Sequence, residues 1–246
     1  MNVSEVIKDL GREYGVPQWQ PHTDPLTELI RAILSQNTSD ANSGRAFRNL
    51  AASFGSWEDI AAADVDDIAG AIRDGGLNKV KAGRIKKMLQ DILNSRGSLD
   101  LSFLAELPIG EAKAWLRDLP GVGQKTAACV LLFGLGRPAL PVDTHVHRVS
   151  RRLGLIDARV SAERASEILE AMVPPEDVYQ FHINLIAHGR RVCRAQHPRC
   201  NACVLAYGCP SSLLRNAAVI GAPAARDRGV PVERSLSQPS IGGSSA

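Results

Sequence analysis

The chain has no stretch of about 18 consecutive apolar residues, so no bilayer-spanning helix is expected. Its start, Met1-Asn2-Val3-Ser4-Glu5, runs into a polar amphipathic segment without the apolar centre of a signal peptide. The expected location is the cytoplasm, and a reducing compartment disfavours disulfides. Strong charge of one sign is missing too. The net charge of +3 suits a polyanionic partner and equally suits enzymes that have none. Sustained alternation at the strand period is also absent. What remains is an apolar fraction of 44% over 246 residues, ordinary for a globular chain and laid out at helical spacing.

The expected class is therefore all-α, with about ten helices and short connections. After a short amphipathic piece carrying Val3, Val6, Ile7 and Leu10, Asp24-Pro25 supplies an N-cap and a first-turn proline. Leu26, Leu29, Ile30, Ile33 and Leu34 then form one apolar stripe, which runs out into the polar cluster Ser35-Gln36-Asn37-Thr38-Ser39-Asp40. Asp40 is a candidate cap for the next helix. A helix over about 78–95 is expected to turn Val80, Ile85, Met88, Leu89 and Ile92 inward, with Lys79, Lys81, Arg84, Lys86 and Lys87 making its N-terminal end basic, a face that most often is simply solvated. From about Ala217 the chain is rich in Ala, Gly, Pro and Ser without a helical stripe, which reads as a flexible tail over 216–246.

Three motifs carry chemistry. In Leu119-Pro120-Gly121-Val122-Gly123-Gln124-Lys125-Thr126-Ala127, two glycines permit a tight turn whose amides, with the helix start that follows, can seat an anion beside the amine of Lys125. In Val142-Asp143-Thr144-His145-Val146-His147-Arg148, an acid stands at a helix start, where a plain N-cap is the simplest account. Cys193, Cys200, Cys203 and Cys209 form C-x6-C-x2-C-x5-C, a set able to close around tetrahedral zinc or an iron–sulfur cube. Structural zinc more often uses two C-x2-C knuckles, and only one is present, so the spacing favours iron–sulfur, with disulfides third. Arg194, His197 and Arg199 make that loop basic, and Cys129, alone on an apolar helix, reads as a core residue.

The ordered combination of these three motifs resembles endonuclease III, a DNA glycosylase of the helix-hairpin-helix superfamily, over roughly residues 23 to 210. The resemblance implies a six-helix lobe (24–137) that contains the hairpin, and a cluster lobe (1–23 and 138–215) with a [4Fe-4S] loop at 193–209. It also implies a monomer, without membrane association, that acts on double-stranded DNA containing damaged bases or abasic sites. DNA would cross the cleft between the lobes. Lys125 would be the nucleophile and Asp143 its catalytic partner, in a bifunctional glycosylase/AP lyase that removes oxidised pyrimidines and nicks the strand by β-elimination. A free lysine, with a pKa of about 10.4, needs help to be neutral, and a helix N-terminus with partial burial would supply it.

The hairpin (Gly121, Val122, Gly123) and Thr126 would hold a phosphate, Leu77 would wedge into the base stack, and His145, Arg148 and Arg194 would lie near the pocket or the DNA backbone. The family pattern L-S-x-Q-x-T-D reads here Leu34-Ser35-Gln36-Asn37-Thr38-Ser39-Asp40, so the glutamine comes one residue early and Asn37 takes its usual place. Either Gln36 or Asn37 would fill the space left by the extruded base. The alternatives are a relative specialised for mismatched uracil or thymine, or for adenine, neither of which needs a lysine at 125, and a non-enzymatic or redox-sensing DNA-binding protein.

Overall fold

The computed structural model describes residues 1–20 and 23–214; the tail over 216–246 lies outside them. Eleven α-helices make up the described residues, joined by short turns and without a β-strand. No helix among them is long and apolar enough to cross a membrane.

The starts of these helices follow from their sequences. α1 (Val3–Tyr14) opens with a capping box between Asn2 and Glu5, and α2 (Pro25–Ser35) is capped by Asp24, whose carboxylate accepts from the amides of Leu26 and Thr27. α3 (Asp40–Ser53) is capped by Ser39, so Asp40 is its first residue rather than its cap. There the acid faces the positive end of the helix dipole. The short helices α4 (Trp57–Ala62) and α5 (Val65–Ala71) lead through a tight turn to the long α6 (Asn78–Arg96), which ends at Gly97 in the left-handed conformation.

Two hydrophobic cores result. The first gathers Leu29, Ile30 and Ile33 of α2, Leu50 of α3, Ile68 of α5 and Ile85, Met88, Leu89 and Ile92 of α6. Leu116 of α7 (Ile109–Arg117) and Ala127 and Ala128 of α8 (Gln124–Cys129) complete it. The second joins α1 to α9 (Thr144–Arg152), α10 (Ala162–Glu170) and α11 (Val178–Arg191) through Leu10, Val146, Leu169, Phe181 and Leu185. Each of the larger side chains among them (Leu, Ile, Val, Met, Phe), fully withdrawn from water, stabilises the fold by roughly 1.5–3 kcal/mol. α8 runs on through a wider turn, Val130–Gly134, where Leu131 packs into the first core and Leu132 into the second. Ala139 still belongs to the first and Leu140 to the second, so the lobes meet across a zone of residues rather than at one bond.

α6 departs from the expected inward face. Val80 is 50% exposed, whereas Lys81 is among the largest fully buried side chains. The reason is polar satisfaction: the Lys81 ammonium donates to Leu34 O (2.7 Å), Thr38 Oγ1 (2.7 Å) and Gly75 O (2.8 Å), one acceptor for each of its three N–H groups. Burial still pushes its pKa below the usual lysine range.

Candidate active site

The hairpin between α7 and α8 is closed by Val122 N–H donating to Leu119 O at 3.1 Å. Gly121 sits at φ 78°, in the left-handed region, and a Cβ there would lie 2.7 Å from Arg84 Cδ. The amides of Gly121 and Gly123 have no backbone acceptor among the described residues, but that of Val122 does, and its side chain is buried in the first core. Lys125 follows in the first turn of α8 and is exposed, rather than partly buried as the sequence led us to expect. Any desolvation of its amine must come from a partner that covers the cleft.

Asp143 is the N-cap of α9. Its Oδ1 accepts from the amides of His145 (2.9 Å) and Val146 (2.7 Å), while Oδ2 accepts no hydrogen bond from the described residues. One carboxylate thus serves as a helix cap and keeps an oxygen for other work. Lys125 and Asp143 wall two adjoining cavities without forming an ion pair with each other. One cavity, about 390 Å³, is also lined by Glu28, Arg31, Phe47, Phe133, His182 and Ile186. The other, about 760 Å³, is lined by Gln36, Asn37, Thr126, His145 and His147. Asp40 and Arg190 border both and are paired at 2.8 Å, α3 to α11. One turn beyond Lys125, burial pushes the Cys129 thiol up to about 11 against the pull of the lysine charge, which keeps it a neutral core residue.

Sequence reasoning missed Glu28, Arg31, Phe47, His182 and Arg190 as walls of this cleft. His182 is the most informative of them. Its Nδ1 lies 2.9 Å from Pro141 O, a pure acceptor, so the proton sits on Nδ1 and Nε2 keeps a lone pair. Burial pulls its pKa down to about 4, partly offset by the nearby Asp143 charge. The available signal was a string of polar residues, Gln180, His182 and Asn184, interleaved with the apolar residues Phe181, Ile183 and Leu185 of α11; all three are buried.

Around the cleft, the remaining predicted residues separate. Gln36 Nε2 donates to Gly121 O (3.0 Å) and approaches Thr126 Oγ1 (3.4 Å), while its Oε1 accepts from Arg84 (3.3 Å). Asn37, by contrast, is exposed in a left-handed conformation (φ 52°). Leu77 is 57% exposed and also left-handed (φ 49°). Arg148 does not line either cavity. Its guanidinium donates to Cys193 O, Thr144 O and Gly189 O and lies 3.1 Å from His145 Nδ1, bracing α9 against the end of α11. Arg194 is exposed on the cysteine loop.

Cys193, Cys200, Cys203 and Cys209 are all free thiols and line one cavity with Val149, Leu153, Val192 and Pro198. Among the described residues no group of three or more His, Cys, Asp or Glu is arranged to hold a metal ion. The surroundings nevertheless suit a thiolate-bound, negatively charged group. Arg152 Nη1 donates to Cys193 Sγ (3.4 Å), His188 Nε2 lies 3.4 Å from Cys203 Sγ, and the buried Ser212 hydroxyl on the same cavity has no partner. Burial, with the neighbouring thiols, pushes Cys203 up to about 11 and raises Cys209, so thiolates there call for a positive centre.

Residues 30–175 match the family described as HhH-GPD superfamily base excision DNA repair protein. The chain belongs to that family. A protein of Arabidopsis thaliana described as a "putative DNA glycosylase" is 39% identical over 165 residues, which are 67% of this chain and 56% of the plant protein, so the match spans little more than half of that relative's length. Endonuclease III of Thermotoga maritima is 34% identical over 206 residues, covering 83% of this chain and 92% of the relative. A solved non-covalent complex of endonuclease III with DNA superposes with a TM-score of 0.74 at 29% identity, over 87% of this chain and 96% of that one. This HhH-GPD protein is thus an endonuclease III-like base excision repair glycosylase, and its all-α fold is the one seen on DNA in that complex.

Proposed function

We propose that this glycosylase is bifunctional, removing oxidised pyrimidines from duplex DNA and then nicking the abasic strand through Lys125. The observation that carries the reading is that Lys125 and Asp143 wall the same cleft, unpaired, with one Asp143 oxygen uncommitted. The Lys125 nitrogen attacks C1′, a C–N bond forms, and the bond from C1′ to the base breaks, with the base leaving protonated. Asp143 stabilises the positive charge that develops on the sugar. Opening of the sugar ring gives an imine, loss of a C2′ proton expels the 3′ phosphate, and water releases the lysine. A water nucleophile alone would stop at base removal.

The target nucleotide enters the 390 Å³ cavity, where Phe47 and Phe133 offer flat apolar surface and Glu28, Arg31 and His182 offer polar groups for its edge. Asn37 fills the vacated space, because Gln36 is already engaged by the hairpin, and Leu77 wedges the stack. The amides of Gly121 and Gly123 seat a phosphate. Cys193, Cys200, Cys203 and Cys209 would hold a [4Fe-4S] cluster, whose contribution when bound is to cross-link the loop that carries Arg194. Arg152, His188 and Ser212 are the groups that would donate to it.

Borohydride reduction in the presence of DNA carrying a single oxidised pyrimidine tests the assignment. A covalent protein–DNA adduct is expected from the wild type, and its absence with a cluster-loaded, DNA-binding preparation would exclude the lysine mechanism. A panel of duplexes with oxidised pyrimidine, mismatched uracil or thymine, or adenine opposite oxidised guanine decides the lesion class.

A further inference from the structure

Two loops that the proposed function sends into DNA are tied together inside the protein by one buried cation. Lys81, 1% exposed, reaches from the first turn of α6 to Leu34 O and Thr38 Oγ1 on one side and to Gly75 O on the other. Thr38 Oγ1 itself lies within bonding distance of Gln36 O and Gly75 O, which closes the knot. Asn37 stands between the two anchor points of its loop, next to Thr38, and Leu77 stands two residues after Gly75. Both are exposed and both hold positive φ; asparagine enters that region readily, whereas a leucine holds it only when its surroundings enforce it. One helical turn after Lys81, Arg84 bonds Gln36 and packs against Gly121 of the hairpin. The N-terminal part of α6 is therefore a strut beneath three separate DNA-facing segments.

We propose that Lys81 is the positioning residue that sets Asn37 and Leu77 in a fixed mutual geometry, so that both enter the duplex together as the damaged nucleotide leaves. The inference rests on the reading of Asn37 and Leu77 given above. An ammonium suits the task because three N–H groups in a compact tetrahedral head can hold three oxygens from two loops at once, which neither an amide nor a planar guanidinium can do in the same volume. Lys81 touches no reacting atom in this scheme. Its effect is felt only where a stack has to be opened, and single-stranded DNA makes no such demand.

The test compares wild type, Lys81→Met, Thr38→Val and Leu77→Ala, each checked for its helical signal and melting temperature. Noncovalent binding to a duplex with a tetrahydrofuran abasic analogue opposite 2-aminopurine reports insertion without any chemistry. Borohydride trapping is run in parallel on a duplex lesion and on a single-stranded abasic oligonucleotide. For Lys81→Met we expect a loss of the 2-aminopurine response, a fall of tenfold or more on the duplex, and single-strand trapping within about twofold of wild type. Thr38→Val, which removes one acceptor, should fall between. Leu77→Ala added to Lys81→Met should cost less than about twofold more, because the two act through the same loop. Equal losses on both substrates, no loss on either, or fully additive effects would overturn the role of Lys81. Should Lys81→Met not fold, Thr38→Val decides by the same criteria. If wild type gives no adduct on any DNA, the lysine mechanism fails, while the fluorescence comparison still judges Lys81.

Discussion

The side-chain amide of Gln36 donates to the carbonyl of Gly121 across 3.0 Å, joining the loop after α2 to the tip of the hairpin. That bond assigns the two adjacent amide residues different tasks. Gln36, also held by Arg84, is part of the scaffold, and Asn37 is left exposed at the cleft.

Gln36→Ala should therefore lower stability by at most about 1 kcal/mol through the loss of the hydrogen bonds of a half-buried side chain, and should weaken binding to all duplexes alike. Asn37→Ala should leave stability within about 0.5 kcal/mol and change discrimination of the base opposite the lesion. Melting curves and a series of duplexes varied at the opposing base separate the two. A Gln36→Ala protein as stable as wild type would contradict the division.

Asp143 is predicted to show two separable losses. Asp143→Asn keeps an oxygen to cap α9, so its melting temperature should stay near that of wild type, whereas Asp143→Ala gives up the cap and about 1 kcal/mol. Both should lose base excision by at least 100-fold. Full activity in Asp143→Asn would leave the carboxylate with the cap alone. Lys125→Gln should bind DNA yet neither nick nor trap, and a nicking Lys125→Gln protein would place the nucleophile elsewhere.

Acid should weaken the fold through His182. Its folded pKa is about 4 against an ordinary 6.5, so between these values the unfolded chain takes up a proton that the folded one refuses. The stabilisation is fully present above about pH 6.5 and is lost as pH falls toward 4, by a few kcal/mol at most. Denaturant titrations at pH 7.5, 5.5 and 4.5 should show a shallower pH dependence for His182→Asn than for wild type. Identical slopes would mean that His182 is already protonated in the folded protein.

Purified protein should be brown, with broad visible absorbance that Cys200→Ser diminishes together with the melting temperature. Colourless protein with one equivalent of zinc would replace the cluster by a single tetrahedral ion and change nothing in the roles of Lys125 and Asp143.

How much of this was legible beforehand depended on whether the determining interactions were local. The apolar stripe of α2, the Asp24 cap and the turn glycine Gly121 each act within a few residues, and the structure shows them where the spacing placed them, whereas Gly123 sits in extended backbone that any residue could adopt. Val80 and Lys81 exchanged roles because a lysine is read as a surface residue unless its acceptors are visible, and Leu34, Thr38 and Gly75 lie 47, 43 and 6 residues away. Arg148 reads as a DNA contact on its own helix, but its acceptors Gly189 O and Cys193 O come from the last turn of α11 and the loop just after it.

The sequence by itself determined the helical class, the ordered motifs and the residue types at 125, 143 and the four cysteine positions, because these depend on residue identity and short-range spacing. Only the tertiary structure decided that Lys125 and Asp143 face the same cleft unpaired, that Gln36 is anchored while Asn37 is presented, and that a buried lysine joins two loops. Those facts arise from groups far apart in the chain whose polar atoms must find one another once water is excluded, and residue spacing carries no record of that pairing.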